Sequence, residues 1–360
     1  MSRPRVVLLR GHGVTPWELR PWELLAGRYD IRVLVSSRNR FDLEDLGLAA
    51  ERVRTTRGLL PGGRAGNLGT LAVGDRYLGL ERHLRAADVV HALELGVPWS
   101  GQPAALRDAL GFKLVLTVWE TIPLLETYRY PRGRGYRRAA LEHADLFLAT
   151  TPKARDALVL EGVVPERIEI SPPGIDVARF SPGRGGDTVV SVGRLVWEKG
   201  HQDVLRALAA LRRGVVPGAP PRLRIVGRGP DGDRLRRHAA ELGVDDLVEL
   251  SEASYAEMPG VFAQARALVL ASLPLPVWEE QFGMVIAEAF AAGVPVVASD
   301  SGAIPEVVRD AGAIFPAGDW RALARLLAGE LPVPSPELAR EYSIEAAADR
   351  LDRAYRRVLG

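Results

Sequence analysis

Residues 189–200 run Val189-Val190-Ser191-Val192-Gly193-Arg194-Leu195-Val196-Trp197-Glu198-Lys199-Gly200, and an amphipathic stretch opens at His201. A short β-branched run closed by glycine has the length of a buried strand, and the longer period beyond it is that of a helix. Strand, glycine turn and helix in that order make one half-unit of a parallel sheet.

The same rhythm extends in both directions. Toward the C-terminus, strands are predicted at 223–226, 247–250, 267–270, 294–298 and 313–315. Toward the N-terminus they are predicted at 6–9, 31–36, 53–56, 89–92, 114–119 and 146–150, with helices such as 19–25 and 152–160 between them. Strands alternating with helices imply parallel sheets covered on both faces. Two such series, each about 170 residues long, imply two doubly wound α/β domains. The joint is expected in 171–187, where Pro172, Pro173, Gly174, Pro182, Gly183, Gly185 and Gly186 crowd together. The expected domains are 1–175 and 176–342. A last amphipathic helix, about 343–360, carries apolar Ala346, Leu351, Ala354, Tyr355 and Val358 and is expected to pack back on the first domain.

Composition narrows the class. The 360 residues are 47% apolar and 26% charged, the profile of a protein with a full core. No run approaches the roughly 18 apolar residues of a membrane span. With no cysteine, disulfide scaffolds, thiolate zinc sites and cysteine nucleophiles are excluded. Met1-Ser2-Arg3-Pro4-Arg5 leads straight into a strand, so no signal peptide is expected and the location expected is cytoplasmic. Forty-seven basic against 45 acidic residues leave a net charge of +2, too little to gather nucleic acid. Only Lys113, Lys153 and Lys199 among the basic residues are lysine, so an ammonium at 199 stands out against an arginine background.

In open α/β sheets ligands bind beyond the carboxyl ends of the strands. After 189–192, glycines and a helix N-terminus flanked by Arg194 and Lys199 suit a di-anion such as a pyrophosphate; a pair of solvated charges explains the segment equally well. After 267–270 a long loop carries Glu280, and a helix from 284 to 292 carries Glu288 eight positions on. Glu288 stands among Met284, Val285, Ile286, Ala287, Ala289, Phe290, Ala291 and Ala292, and a carboxylate in such a helix is rare unless it is partnered or reaches solvent; an exposed Glu280 and an amphipathic Glu288 are the alternative. Carboxylates suit the hydroxyl pairs of sugars, and the N–H groups of Gly283, Met284 and Val285 would form a second anion-binding helix start.

These residues resemble the retaining, nucleotide-sugar-dependent glycosyltransferases of family 4, which have the GT-B fold. The resemblance is carried by Pro173-Gly174-Ile175-Asp176 with Arg179-Phe180-Ser181-Pro182, by Val192-Gly193-Arg194-Leu195 with Lys199-Gly200, and by Ile225-Val226-Gly227. It is strongest at Glu280-Gln281-Phe282-Gly283-Met284-Val285-Ile286-Ala287-Glu288-Ala289 and continues through Val294-Pro295-Val296-Val297-Ala298-Ser299, Gly302 and Glu306-Val307-Val308. It implies two Rossmann-like domains facing each other across a cleft, and transfer of a hexose from a UDP-, GDP- or ADP-sugar to the hydroxyl of a glycan, lipid or small molecule. By that resemblance Arg194 and Lys199 hold and neutralise the donor phosphates, and Glu280 binds sugar hydroxyls. Phe282, Gly283, Met284 and Val285 line the sugar and phosphate pocket, Glu288 binds the ribose, and Gly227 lets the chain pass close to the nucleotide. An epimerase or glycosyl phosphorylase of the same fold is the alternative.

The first half resembles the family more loosely. Arg10-Gly11-His12-Gly13 makes a glycine turn facing the cleft; Pro16 occupies the last place of a G-x-G-x-x-G pattern, which weakens a dinucleotide reading. Asp88-Val89-Val90-His91-Ala92 matches a family segment, with Leu93 where a second histidine often stands. Trp119-Glu120 occupies a strand end where many members carry histidine. Gly11, Gly13, His91, Trp119 and Glu120 are therefore the candidates in this half, although a hydrogen-bonded histidine at a strand end is the plainer account of His91. Trp17 and Trp22 serve an acceptor ring face or the core. Arg129, Arg132, Arg134, Arg137 and Arg138, among Tyr128, Tyr130 and Tyr136, read as a footprint for an anionic acceptor or the inner membrane face, or as a solvated arginine-rich loop. Asp231-Gly232-Asp233 reads as a helix cap rather than a metal-binding pair, and the six histidines have no metal-ligand spacing. No metal, no cofactor and no nucleic-acid partner are expected.

Overall fold

The computed structural model describes residues 3–60, 63, 69, 74–125, 131–181, 185–334 and 336–360, the side chains at 131, 132 and 336 excepted. It divides into two units: residues 1–174 with 344–360, and residues 175–343.

In the first unit seven strands form one sheet: β1 Arg5–Leu9, β2 Asp30–Ser36, β3 Ala49–Val53, β4 Val89–Leu93, β5 Lys113–Val118, β6 Leu146–Ala149 and β7 Ile168–Ile170. Their order is β3-β2-β1-β4-β5-β6-β7, with every pairing parallel. The central strands are continuously apolar because both faces are covered. Side chains alternate along β1, so Val7 and Leu9 join Leu114, Leu116 and Phe147 on one face, while Val6 and Leu8 join Val33, Leu148 and Tyr355 on the other. Each such fully enclosed side chain contributes about 1.5–3 kcal/mol.

The second unit has six parallel strands: β8 Thr188–Val192, β9 Arg222–Val226, β10 Val248–Ser251, β11 Ala265–Leu270, β12 Val296–Ser299 and β13 Ala313–Phe315. The order is β10-β9-β8-β11-β12-β13. Each sheet therefore reverses its winding once, between β1 and β4 and between β8 and β11.

Some elements differ from expectation. The strand predicted over 53–56 runs 49–53, because beyond Val53 the chain leaves β2 and Thr55 bridges to Tyr77 instead. The short β7, paired to β6, lies where no strand was predicted. Asp231 occupies the N-cap position of the helix Gly232–Leu242, yet its side chain makes no cap bond there, and Asp233 pairs with Arg236. No described helix is long and apolar enough to cross a membrane.

The helix Ile344–Leu359 belongs to the first unit. Trp22 Nε1 donates to Tyr355 Oη at 2.7 Å; the same hydroxyl lies 2.7 Å from His91 Nδ1, and His91 Nε2 lies 2.8 Å from Thr117 Oγ1. A buried chain thus joins the first helix, β4, β5 and the last helix. Asp352 accepts from Tyr29 at 2.9 Å and Arg28 at 2.7 Å on the same helix.

Candidate active site

In the second unit the crevice to inspect lies beyond β8 and β11, which flank the reversal. Gly200 closes the β8 loop at φ +69°, and a Cβ there would stand 1.7 Å from the carbonyl oxygen of Ala271, the first residue after β11. Only glycine lets the two loops approach so closely. Leu273 N donates to Glu198 O across the same junction at 2.8 Å.

That approach delivers Lys199 to Glu280. Lys199 Nζ is 2.6 Å from Glu280 Oε2, and Ser272 Oγ donates to the same oxygen at 2.7 Å. Ser299 Oγ in turn donates to Ser272 O at 2.6 Å. Glu280 is held from behind: its carbonyl accepts from Ala303 N at 2.8 Å, and a Cβ on Gly302 (φ +60°) would lie 2.0 Å from that oxygen. Lys199 Nζ also sits 5.0 Å from the centre of the Trp278 ring. A half-buried cation beside a fixed carboxylate is an arrangement able to neutralise phosphate oxygens while accepting hydroxyl hydrogens.

Arg194 is placed otherwise. Its side chain is 63% exposed and pairs with Glu198 at 3.4 Å. The loop carrying it is pinned by His201, which sequence reasoning passed over. His201 Nε2 donates to Arg194 O at 3.2 Å and Nδ1 accepts from Ser191 Oγ at 2.9 Å. Burial pushes this imidazole down to about 4, against the hydrogen bonds that favour its charged form, so it stays neutral.

Glu288 points inward from the helix Met284–Ala291 and is buried. Burial raises its carboxyl to about 7, opposed by the charge of Arg179. Arg179 lies 4.3 Å over the Tyr255 ring and donates to Tyr255 O at 2.7 Å. Burial and then the charge of Glu288 lift the Tyr255 phenol to about 12. Arg179 and Tyr255 are thus neighbours of Glu288 that the sequence reading left without a role. Gly283, at φ +79°, starts the helix, and Met284 and Val285 remain partly exposed there. Phe282 departs from its expected place: its ring is buried edge-on against Tyr342 at 5.4 Å, so it serves packing rather than a pocket wall. At Gly227 the crowding comes from backbone, since a Cβ would stand 1.8 Å from Gly193 O. Beside it a groove of about 300 Å³ is lined by Leu195, Gly227, Arg228, Ser251 and Glu252 among others.

In the first unit, Gly11 lies against the Trp99 ring and Gly13 has open space around it. His91 is completely enclosed and both its ring nitrogens are engaged, so it faces the core and not a ligand. Burial, reinforced by Arg10, drives its pKa far down. Trp119 N donates to Glu94 Oε1 at 2.9 Å. Glu120 Oε1 accepts from Thr121 N at 3.0 Å and Ile122 N at 2.9 Å, closing its own loop. Arg10, which residue type alone would put on the surface, is fully buried; it donates to His91 O at 2.8 Å and lies 5.0 Å from the Trp22 ring centre. On the helix Pro131–His143, Arg134 and Arg138 are exposed and Arg137 is ion-paired to Glu161. Arg129 and the side chain of Arg132 lie outside the described residues. Among the described residues no group of three or more His, Asp or Glu side chains is arranged to hold a metal ion.

Two parallel-sheet units of this winding, one with charged strand-end loops, define the class of GT-B glycosyltransferases, and known proteins agree. Residues 177–350 match the family model of glycosyl transferases group 1, and residues 22–179 match that of glycosyltransferase family 4. The chain belongs to the family 4 glycosyltransferases. It is 35% identical over 189 residues to a D-inositol 3-phosphate glycosyltransferase of Nocardia farcinica (47% of this chain, 41% of that one). It is 34% identical over 257 residues to the protein of that name in Mycobacterium tuberculosis (64% and 52%). The chain thus matches about half the length of these curated relatives. Among solved structures, Anabaena HepE in complex with UDP superposes with a TM-score of 0.76 at 18% identity, covering 98% of this chain and 99% of that one. A glycosyltransferase from Rickettsia africae gives 0.75 at 13% identity, covering 100% and 99%.

Proposed function

We propose that this protein is a retaining glycosyltransferase, moving a hexose from a nucleotide diphosphate sugar to an acceptor hydroxyl without a catalytic metal. The observation that carries the reading is the Lys199–Glu280 contact beyond β8 and β11: phosphate-neutralising cation and sugar-binding carboxylate come from separate loops to one point. Negative charge grows on the leaving phosphate as the glycosidic bond breaks, and preorganised cations stabilise it. Lys199 holds that role, with Arg194 joining from the surface once a di-anion is present. Met284 and Val285, at a helix start, approach the phosphates and sugar. Glu288 takes the ribose hydroxyls, and the groove beside Gly227 receives the base. The acceptor attacks the face the phosphate leaves, and a phosphate oxygen takes its proton.

UDP is the favoured nucleotide, because the HepE structures hold UDP and UDP-glucose. GDP and ADP are the other members of the test. Exposed Arg134 and Arg138 support contact with an anionic acceptor or with the inner membrane face from a cytoplasmic location.

The test is a thermal-shift and calorimetric panel of UDP-, GDP- and ADP-glucose against the intact chain, followed by product analysis. One donor is expected to raise Tm clearly above the others, since binding to the native state alone stabilises it. Product of retained configuration is expected only with an acceptor present. No stabilisation by any of the three, or interconversion of the donor sugar without acceptor, rejects the reading.

A further inference from the structure

The second unit carries another groove, of about 320 Å³, whose lining shares no residue with the groove beside Gly227. It lies between the helices His201–Arg212 and Gly232–Leu242, whose apolar sides join Val189 of β8 and Ile225 of β9 in one core. Along the second helix Arg234, His238 and Glu241 fall at i, i+4 and i+7 and share a face. Asp233 and Arg236, on another face, belong to the groove beside Gly227. Nothing in the glycosyl-transfer reading uses the first set.

The groups lining this groove differ in what they have left to offer. Arg206 is committed, donating to Oδ1 of the buried Asp203 at 2.6 Å. Arg234 lies 5.0 Å over the Trp197 ring, a contact that leaves its N–H groups unused. Among the described residues neither Arg234 nor Arg237 makes a hydrogen bond or an ion pair, and both are exposed. Two guanidinium groups three positions apart on one helix suit an oxyanion. Asp231, which likewise has no ion pair among the described residues, and Glu241 work against a bare anion but accept hydroxyl hydrogens. His238 Nδ1 lies 3.6 Å from Glu241 Oε2, while its Nε2 is buried with no hydrogen-bond partner among the described residues. Leaving such an atom unmatched costs about 1–3 kcal/mol. Trp197 remains 40% exposed, an apolar surface beside these polar groups. Anion, hydroxyls and an apolar ring face are the complement of this lining, and a sugar phosphate unites them.

Trp197 also links the groove to Lys199. It opens the turn Trp197–Lys199, and the buried Gln202, which lines the groove, donates to Trp197 O at 3.1 Å. A ligand resting on the indole therefore bears on the turn that carries the donor-site ammonium.

We propose that this groove is a second ligand site, for a phosphorylated sugar or polyol, and that filling it steadies the Lys199 turn and strengthens donor binding. The phosphate pairs with Arg234 and Arg237, the hydroxyls bond Asp231, Glu241 and His238 Nε2, and the apolar ring face lies on Trp197. The site stands apart from glycosyl transfer; its effect on the donor rests on that reading.

The experiment is calorimetry on the full chain with D-glucose 6-phosphate, D-glucose and inorganic phosphate as probes, and with UDP in excess to fill the donor crevice. Wild type is compared with Arg234→Ala and Arg237→Ala, whose exposed side chains should leave Tm unchanged. Glucose 6-phosphate is expected to bind wild type, and the two half-probes and each variant to lose about tenfold or more, the scale of one charge-assisted hydrogen bond. In a second titration, glucose 6-phosphate should tighten UDP binding about fivefold in wild type and not in R237A. Four results overturn the proposal. They are no glucose 6-phosphate binding, full affinity in both variants, inorganic phosphate binding as tightly as the sugar phosphate, and UDP affinity unchanged or weakened when the groove is filled. A wild type that binds no UDP rejects glycosyl transfer and the coupling with it, while the glucose 6-phosphate comparison still decides the site.

Discussion

Lys199 Nζ and Glu280 Oε2 are 2.6 Å apart although 81 positions separate them in the chain, with side chains only 15% and 11% exposed. Desolvation of both charges offsets much of their attraction, so the pair contributes position more than stability. Lys199→Ala should lower sugar transfer from UDP-glucose by about 10²–10³-fold, the scale of losing one preorganised electrostatic contact. Glu280 keeps its bond from Ser272, so Tm should fall only modestly. Steady-state UDP release and scanning calorimetry on one preparation check both halves; near-normal turnover contradicts the phosphate role.

The closeness of the β8 and β11 loops depends on Gly200. Gly200→Ala puts a Cβ 1.7 Å from Ala271 O at φ +69°. It should cost about 3 kcal/mol, combining left-handed strain with overpacking. The loops must part to relieve the clash, so UDP affinity should drop as well. Gly13→Ala, with nothing within 4 Å of the new methyl, should leave unfolding free energy unchanged in urea titrations.

If Glu288 takes the donor ribose as proposed, UDP binding should depend on pH. Its native carboxyl titrates near 7, above the value of an exposed glutamate, so the native state keeps a proton that the unfolded chain releases. Its contribution to stability is complete in acid and is lost as pH rises toward 7 and above. Ribose hydroxyls, by contrast, are best accepted by the ionised form. UDP affinity should therefore rise between about pH 6 and pH 8 in calorimetry, and Glu288→Gln should flatten that rise. The same variant should be more stable than wild type at about pH 8, by up to roughly 3 kcal/mol. A variant that binds UDP as wild type does at every pH removes Glu288 from the site.

Two enclosed histidines should make the protein acid-sensitive. His91 is held neutral far below its ordinary range and His201 down to about 4, while both protonate freely once unfolded. Stability should thus fall as pH drops below about 6.5, by about 1.4 kcal/mol per unit for each group. Urea midpoints measured stepwise from pH 7 to pH 5 read the slope. His91→Phe should lower stability throughout, through lost bonds to Tyr355 and Thr117, yet make the slope shallower; an unchanged slope contradicts the assignment.

The parallel sheets were legible because β-branched runs such as Val189–Val192 and their glycine turns encode strand and turn locally. The apolar neighbours of Glu288 likewise marked it as an unusual carboxylate, though only the structure shows it buried. What escaped was set by tertiary surroundings. Nothing in residue type distinguishes Arg10, wholly buried, from the arginines on the surface. Phe282 sits in a recognisable motif, but only the position of Tyr342 shows that its ring packs inward. Glu94 drew no reading from the sequence, since neither its left-handed backbone nor its buried second carboxylate oxygen is visible without neighbours. Asp231 stood in a capping sequence, and the helix began without using it.

Tyr355 closes a buried hydrogen-bonded chain whose other members, Trp22, His91 and Thr117, all lie before residue 175. During synthesis on the ribosome, residues 1–174 must therefore wait, unfinished, while the whole of 175–343 is made. The second unit can close first, and the emerging tail then completes the earlier one.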